Sequence, residues 1–228
     1  MPHSSTPRAR KPKSAQAFTR RLLAWFERNG RDLPWRKTRD PYRVLVSEFM
    51  LQQTPVSRVA EFYPRFLKRF SSLETLARAR PKAVREAWDG LGYYARAGNL
   101  HRLARQVDEI PSDPAELVKL PGVGRYTAGA VASFAYEKPV PAVDTNVGRV
   151  LGRVFFGKRA MRNAQRIWSL AAALVPKNGR TAWRFNQAVM ELGAVICQAR
   201  KPKCAGCPVR IVCRTGNARL LPLRSPNT

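Results

Sequence analysis

The stretch Leu120–Ala130 has the sequence LPGVGRYTAGA and joins two short helical patterns. Gly122 and Gly124 permit backbone conformations that other residues rarely adopt, and they remove side chains from the turn. Backbone N–H groups at such a turn can approach an anion closely, and the helix that follows adds the positive end of its dipole. These features predict a helix-hairpin-helix that binds phosphate through Gly122, Val123, Gly124 and Arg125. An ordinary turn between helices is the alternative.

The charge of the chain indicates the kind of partner. Lys and Arg number 42 against 15 Asp and Glu, which gives a net charge of +27. Such a charge repels itself in a compact protein unless a polyanion neutralises it, so nucleic acid is the first candidate partner and an anionic membrane surface the second. No apolar run approaches the length that spans a membrane. We therefore expect no membrane partner and, in a prokaryote, a cytoplasmic location at the nucleoid.

Helical periodicity extends along nearly the whole sequence, without sustained alternation or an internal repeat. It predicts an all-α fold with two helical domains. We expect a six-helix domain with the hairpin at 36–144, and a second domain formed by 16–35 and 145–228. Residues 1–15 are basic and lack the apolar segment of a secretory signal, so they are predicted to be a disordered tail. Pro64 predicts a kink or break, and Asp144 is placed to cap a helix through Val154.

The four cysteines of the chain are clustered near its C-terminal end. They follow the pattern C-x6-C-x2-C-x5-C, at Cys197, Cys204, Cys207 and Cys213. In an intracellular protein this clustering predicts a metal site, either zinc or an iron–sulfur cluster, and the spacing alone does not choose between them. Three basic residues lie between the first two cysteines and are expected to contact successive phosphates: Arg200, Lys201 and Lys203. A solvated charge run is the alternative.

Taken in order, three segments resemble the helix-hairpin-helix DNA glycosylases. They are the hairpin LPGVGRYTAGA, the segment VPAVDTNVGRV and the cysteine loop, and the likeness covers about residues 18–213. The resemblance implies that the four cysteines hold a [4Fe–4S] cluster. It also implies a catalytic cleft between the two helical domains, which would suit a nucleotide flipped out of duplex DNA.

Tyr126 separates the branches of that family. Endonuclease III-like members have a lysine at the matching position, which attacks the sugar, forms a Schiff base and then cuts the strand. A phenol cannot form that iminium, so Tyr126 implies base removal without an efficient lyase step. The segments SEFMLQQTPVSRV and GLGYYARAGNL resemble the adenine glycosylase (MutY) branch. An aromatic ring packed on its helix is the alternative for Tyr126.

The resemblance assigns roles to five further residues. Glu48 would protonate the adenine and handle the water, and its place beside an apolar stripe predicts a partial burial that suits an acid. Asp144 would stabilise the positively charged sugar. Gln53 and Tyr93 would wedge into the duplex with Gln52 in support. A surface ion pair for Glu48, a plain helix cap for Asp144 and simple packing for the others remain alternatives.

The combined expectation is a monomeric, monofunctional glycosylase that acts on duplex DNA containing a mispaired or damaged base. Its expected target is adenine opposite guanine or 8-oxoguanine. The segments RDLPWR, RDPY and RKPKC also resemble mismatch thymine glycosylases, so thymine or uracil opposite guanine is the alternative target. The central residue of Asp144-Thr145-Asn146 departs from the adenine branch, and the 8-oxoguanine-recognition domain of that branch is expected to be absent. A non-catalytic DNA-binding module is the third hypothesis.

Overall fold

The structure is a computed structural model that describes residues 12–157 and 163–217. Every regular element in these ranges is helical and none is a strand, which confirms the all-α prediction. Residues 1–11 of the predicted tail lie outside the described residues. Ala15, which the sequence placed in that tail, is fully buried and begins the first helix. None of the described helices is both long and apolar enough to cross a membrane.

Twelve α-helices are formed in the described ranges. In chain order they are α1 Ala15–Asn29, α2 Pro41–Leu51, α3 Val56–Arg69, α4 Leu73–Arg78, α5 Pro81–Ala87, α6 Ala95–Ala104, α7 Pro114–Leu117, α8 Arg125–Phe134, α9 Thr145–Leu151, α10 Ala164–Leu174, α11 Gly179–Val195 and α12 Arg214–Asn217. Short 3-10 turns lie at Pro34–Arg36, Cys204–Gly206 and Arg210–Val212.

The chain divides into two compact units. Asp32–Lys138 forms one, here the hairpin unit, and the described residues up to Arg31 and from Pro139 onward form the other, here the cysteine unit. The sequence predicted the bounds of the hairpin domain at residues 36 and 144. The hairpin unit, all of which the structure describes, contains seven α-helices, α2–α8, where six were predicted. Two of the seven are short, α4 with six residues and α7 with four.

Helix α2 lies at the centre of the hairpin unit and contacts α3, α6 and α8. It begins with Pro41, and the Asp40 carboxylate accepts a hydrogen bond from the Arg43 backbone N–H at 3.1 Å. A capping acid followed by a first-turn proline is a strong helix start. Every residue from Val44 to Met50 is buried. The helix is therefore enclosed over these seven residues, and the two polar side chains among them, Ser47 and Glu48, are buried.

Helix α3 contains a proline that does not interrupt it. Pro64 was predicted to kink or break it, but the helix continues through Pro64 to Arg69. Phe66, two residues later, is buried with an edge contact to the Trp88 ring at 5.7 Å and a tilted contact to the Phe70 ring at 5.1 Å. Packing of this aromatic face retains the helical path despite the lost backbone hydrogen bond.

The cysteine unit is built from α1, α9, α10, α11 and α12. Helix α11 contacts both α1 and α9, and Phe18 of α1 makes edge contacts with Phe155 at 5.2 Å and Phe185 at 6.2 Å in the core. The helix predicted to reach Val154 ends as an α-helix at Leu151 and continues as a π-helical segment, Gly152–Phe156. Such segments are rare and often lie at functional sites.

Candidate functional site

The hairpin joins α7 to α8 through a turn that contains Gly122 and Gly124. The surroundings of these two glycines differ. Gly122 has a φ of 76°, and a Cβ there would lie 2.8 Å from Cβ of Asn99 and 2.9 Å from Cε1 of Phe49. The fold itself therefore requires Gly122. Gly124 has an ordinary φ of −87° and open space within 4 Å of a Cβ. The fold leaves that space open at the surface, where a ligand can approach the backbone.

Gly124 is also the N-cap of α8, and it has no side chain to bond the amides of the first turn. The start of a helix of ten residues carries partial positive charge and suits an anion. Arg125 is exposed beside it. Val123, predicted as a contact, is 6% exposed, so its side chain anchors the turn from within. Its backbone N–H donates to the Leu120 carbonyl at 3.1 Å and closes the turn, so Val123 shapes the hairpin.

Two further candidates lie in the hairpin unit. Glu48 lies on α2 and is 4% exposed, a deeper burial than the partial one that the sequence predicted. A carboxyl group is rarely placed inside a domain unless it is bonded there or used in chemistry. Tyr126 is the second residue of α8 and is half-buried. It lies one residue beyond the exposed Arg125, at the same end of α8 as the hairpin glycines.

The predicted wedge residues lie in two loops with unusual backbone. Gln53 follows α2 with a φ of 60°, and Tyr93 precedes α6 with a φ of 46°. Tyr93 is 62% exposed, although large aromatic residues are normally buried. Gln52, the predicted support, is half-buried at the end of α2. Left-handed backbone at residues other than glycine is strained and concentrates at functional sites.

Asp144 caps α9 in the cysteine unit, which confirms the predicted cap. Its Oδ1 accepts a hydrogen bond from the Val147 backbone N–H at 2.7 Å, and its Oδ2 accepts one from the Asn146 side chain at 2.9 Å. Burial raises the pKa of Asp144 above its usual range, and these two hydrogen bonds together with the Arg149 charge oppose that rise. The carboxylate is thus fixed in direction and costly to keep ionised.

A hydrogen-bonded chain extends from Asp144 to the first cysteine. Asn146 accepts from Arg149 Nη2 at 2.6 Å, and Arg149 Nε donates to the Cys197 carbonyl at 2.8 Å. Arg149 Nη2 also donates to the Gly193 carbonyl at 2.8 Å. The cap of α9, helix α11 and the start of the cysteine loop are therefore held together by one guanidinium group.

All four cysteines line one cavity of about 290 Å³. Apolar side chains form much of its wall, among them Val150, Val154, Leu192 and Ile196. Among the described residues no three Cys, His, Asp or Glu side chains converge closely enough for a single metal ion. Burial raises the pKa of Cys207 to about 11, so its thiol would bind as a thiolate only when a cation displaces the proton.

Arg153, in the π-helical segment, holds the cysteine loop at both ends. Its Nη1 donates to the Gln198 carbonyl at 2.7 Å and lies 3.4 Å from Cys197 Sγ. Its own carbonyl accepts from the Thr215 hydroxyl at 2.9 Å. The loop between these points presents Arg200, Lys201 and Lys203, all exposed as a basic DNA contact would require.

Comparison with known proteins decides the family. Residues 46–188 match the model of the HhH-GPD superfamily base excision DNA repair proteins. The chain belongs to the HhH-GPD superfamily. The match includes Glu48, the hairpin and Asp144, and it ends before Cys197.

Relatives of this HhH-GPD chain include named adenine glycosylases. The adenine DNA glycosylase of Mycolicibacterium smegmatis is 45% identical over 194 residues, which are 82% of this chain and 66% of that protein. The human adenine DNA glycosylase is 42% identical over 215 residues, 87% of this chain and 39% of that protein. The chain therefore spans from about two fifths to just under two thirds of the length of these two relatives.

Solved structures support the same family. A thermostable thymine-DNA glycosylase matches with a TM-score of 0.83 and 32% identity, covering 90% of this chain and 98% of that one. An endonuclease III trapped in a covalent intermediate with DNA matches with a TM-score of 0.76 and 26% identity, covering 91% of this chain and 99% of that one. Both agree with the all-α fold.

Sequence reasoning missed the residues that support this HhH-GPD site. Asn146, Arg149 and Arg153 were not singled out, although they hold Asp144 and the cysteine loop in place. The two arginines donate to carbonyls 48 and 45 residues away along the chain, and arginines are common throughout it. Only the folded arrangement distinguishes them from arginines on the surface.

Proposed function

We propose that this chain is a monofunctional DNA glycosylase that removes a mispaired adenine opposite guanine or 8-oxoguanine. The observation that carries the proposal is the 45% identity to an adenine DNA glycosylase, against 32% to the thymine-DNA glycosylase. Glu48, Tyr126 and Asp144 all lie in the matched family region, 46–188. We further propose that it works as a monomer and, in a prokaryote, in the cytoplasm at the nucleoid.

Duplex DNA with a mismatched or damaged base is the proposed partner. The net charge of +27 supplies long-range attraction to phosphates, which is strong at low salt and independent of sequence. Gly122, Gly124 and the start of α8 would fix the position of one phosphate through backbone amides. The basic residues of the cysteine loop would bind phosphates as a second point of attachment.

Glu48 and Asp144 would carry the chemistry on a base flipped from the stack. Glu48 would donate a proton to the purine as the C1′–N bond breaks, so that adenine leaves as a neutral base. Asp144, ionised and aimed by its two hydrogen bonds, would stabilise the positive charge that develops on the sugar. Water would then add its oxygen to C1′ and give one proton to the Glu48 carboxylate, which restores the acid and leaves an abasic site.

Tyr126 accounts for the monofunctional outcome. Strand cleavage through a Schiff base needs an amine that attacks C1′ and loses water to form an iminium. A phenol has no nitrogen, so its oxygen cannot form the stable iminium through which the strand is cut. We therefore expect the abasic product to stay intact until alkali cleaves it.

We propose a [4Fe–4S] cluster as the group held by Cys197, Cys204, Cys207 and Cys213. The donor set fits, because iron–sulfur clusters are held by four thiolates. The cavity fits better than a zinc site, whose four sulfurs lie only about 2.3 Å from one ion and leave no space between them. When bound, the cluster would supply iron–thiolate bonds that brace the loop, so that its basic residues meet DNA already ordered.

The test is base release under single-turnover conditions from duplexes centred on A:8-oxoguanine, A:G, T:G and U:G. Each reaction is divided and analysed with and without alkali. We expect release of adenine only, with strands cut only after alkali. Release of thymine or uracil would favour the second candidate, which the high coverage of the thymine-DNA glycosylase structure supports. Tight binding without release from any duplex would favour the binding module.

A further inference from the structure

Arg96, on α6, is a buried arginine that fastens the end of α2. It is 7% exposed. Its Nη1 donates to three backbone carbonyls there, those of Phe49 at 3.0 Å, Met50 at 2.7 Å and Gln52. The last carbonyls of a helix have no partner within the helix and carry partial negative charge. A cation placed among them satisfies these groups and fixes the point at which the chain leaves α2.

The same guanidinium fastens the loop that precedes α6. Its Nη2 donates to the carbonyls of Leu91 at 3.1 Å and Gly92 at 3.0 Å, and to the Thr54 hydroxyl at 3.0 Å. Thr54 in turn donates to the Leu91 carbonyl at 3.5 Å. The planar, multiply bonding guanidinium thus joins two loops that are about forty residues apart in sequence, which a lysine ammonium could not span.

Each loop contains one residue with left-handed backbone next to a carbonyl that Arg96 holds. Gln53 follows Gln52, and Tyr93 follows Gly92. Strained conformations of this kind persist only where the surroundings determine them fully. The Tyr93 ring also lies with its centre 5.5 Å from the guanidinium carbon, in cation–π range. Arg96 is therefore placed to hold both strained residues at once.

We propose that Arg96 is a positioning residue that fixes Gln53 and Tyr93 as one preformed element for insertion into duplex DNA. The inference rests on the proposed function and deepens it, because base flipping requires that the space in the stack be filled. An element ordered before binding loses little conformational freedom on insertion. Arg96 touches neither base nor sugar in this role and acts only through the two loops.

The experiment measures insertion separately from chemistry. The probe is a duplex with 2-aminopurine beside the target adenine, whose fluorescence rises when it is unstacked. The variants are R96K, the milder T54V, the wedge variant Q53A/Y93A, and R96K combined with the wedge variant. R105K is the matched control, since Arg105 is exposed just beyond the end of α6. Circular dichroism and binding to undamaged duplex show that each variant folds and still binds phosphates.

We expect R96K to abolish most of the fluorescence rise, T54V to lower it partly, and R105K to retain it. Base release by R96K should slow by roughly tenfold, as expected for a displaced positioning group. In the wedge variant, R96K should have no further effect, because the residues that it positions are gone. A merely structural arginine would lower both readouts further in that background.

The proposal is overturned if R96K and T54V leave the fluorescence rise unchanged, if their effects add to those of the wedge variant, or if the wild type gives no rise. A wild type that unstacks the probe but releases no base would contradict the proposed function and leave this inference standing. A wild type that releases adenine, with R96K equally active, would support the proposed function and contradict the positioning role of Arg96.

Discussion

Asn146 lies directly against Gly193. A Cβ at Gly193 would stand 2.6 Å from Cβ of Asn146 and 3.1 Å from its Cα and carbonyl oxygen. Helix α11 therefore passes so close to the start of α9 that only glycine fits at this position. Because Asn146 donates to Asp144, the contact fixes the depth at which the proposed catalytic carboxylate is held.

Gly193→Ala should push the start of α9 away from α11. We expect a loss of about 1–3 kcal/mol in the free energy of unfolding from overpacking. Base release should slow by roughly tenfold or more, because the carboxylate is displaced. Gly148→Ala on α9 is the control: nothing lies within 4 Å of its Cβ, and the change should stabilise the helix by about 0.5–1 kcal/mol. Urea unfolding and single-turnover base release distinguish the two, and equal effects would contradict the prediction.

Asp144→Asn should separate activity from stability. The pKa of Asp144 is raised in the folded state, so its ionised form costs stability once the pH rises above the pKa of the unfolded chain, and the cost is complete above the folded pKa. Asparagine caps helices as well and carries no charge. The variant should unfold at an equal or higher temperature at neutral pH, and its base release should fall on the order of a hundredfold.

The stability of the wild type as a function of pH checks whether ionisation of Asp144 destabilises the fold. Below the pKa of the unfolded chain, Asp144 is protonated in both states, and the wild type should lose any stability deficit relative to the variant. Base release by the wild type should begin to fall, on acidification, at a higher pH than an ordinary aspartate would give. A wild type that is more stable than Asp144→Asn at neutral pH would contradict the proposed cost of ionisation.

The two hairpin glycines should respond differently to alanine. Gly122→Ala places a methyl group against Asn99 and Phe49 at a positive φ, so we expect destabilisation of about 1–3 kcal/mol. Gly124→Ala meets nothing in the protein and should unfold like the wild type. It should nevertheless weaken binding to duplex DNA, because the methyl group occupies the space proposed for a phosphate. Binding titrations and thermal unfolding of both variants check this. Normal DNA binding by Gly124→Ala would contradict the proposal that a phosphate binds at this position.

The sequence predicted those parts of the fold that depend on neighbouring residues. The helix cap at Asp144 was predicted correctly, because capping acts over a few residues. Glu48 was predicted beside the apolar stripe of α2, but its full burial depends on helices that pack around it from elsewhere in the chain. The same reason explains why Pro64 does not end α3.

The residues that hold the site in place could not be predicted from patterns of neighbouring residues. Arg96 and Arg149 bind backbone carbonyls, which every residue possesses, so no partner residue in the sequence marks them. The close contact at Gly193 is likewise decided by the path of a second helix. In a chain with 42 basic residues, the few that are buried cannot be told from the many that face solvent.

The metal content should decide between the two groups that the cysteine spacing allowed. We expect protein purified without oxygen to contain about four iron atoms per chain, with broad visible absorption that Cys207→Ser removes. Loss of the group should expose residues 197–213 to proteases, since the loop would lose its bracing. Lys201→Gln is the control and should retain the iron, because the side chain faces solvent. One zinc ion per chain and no iron would contradict the proposal.

Tyr126→Lys should convert the proposed glycosylase into one that also cuts the strand. The new amine would lie in the first turn of α8, where the positive end of the helix dipole disfavours the ammonium form and leaves the amine nucleophilic. It can then attack C1′ of the sugar, and water is lost as the iminium forms. We expect strand breaks without alkali and a covalent adduct after borohydride reduction, with neither in Tyr126→Phe, which retains the ring. A lysine variant that binds DNA and releases adenine, yet gives no adduct, would place Tyr126 away from the sugar.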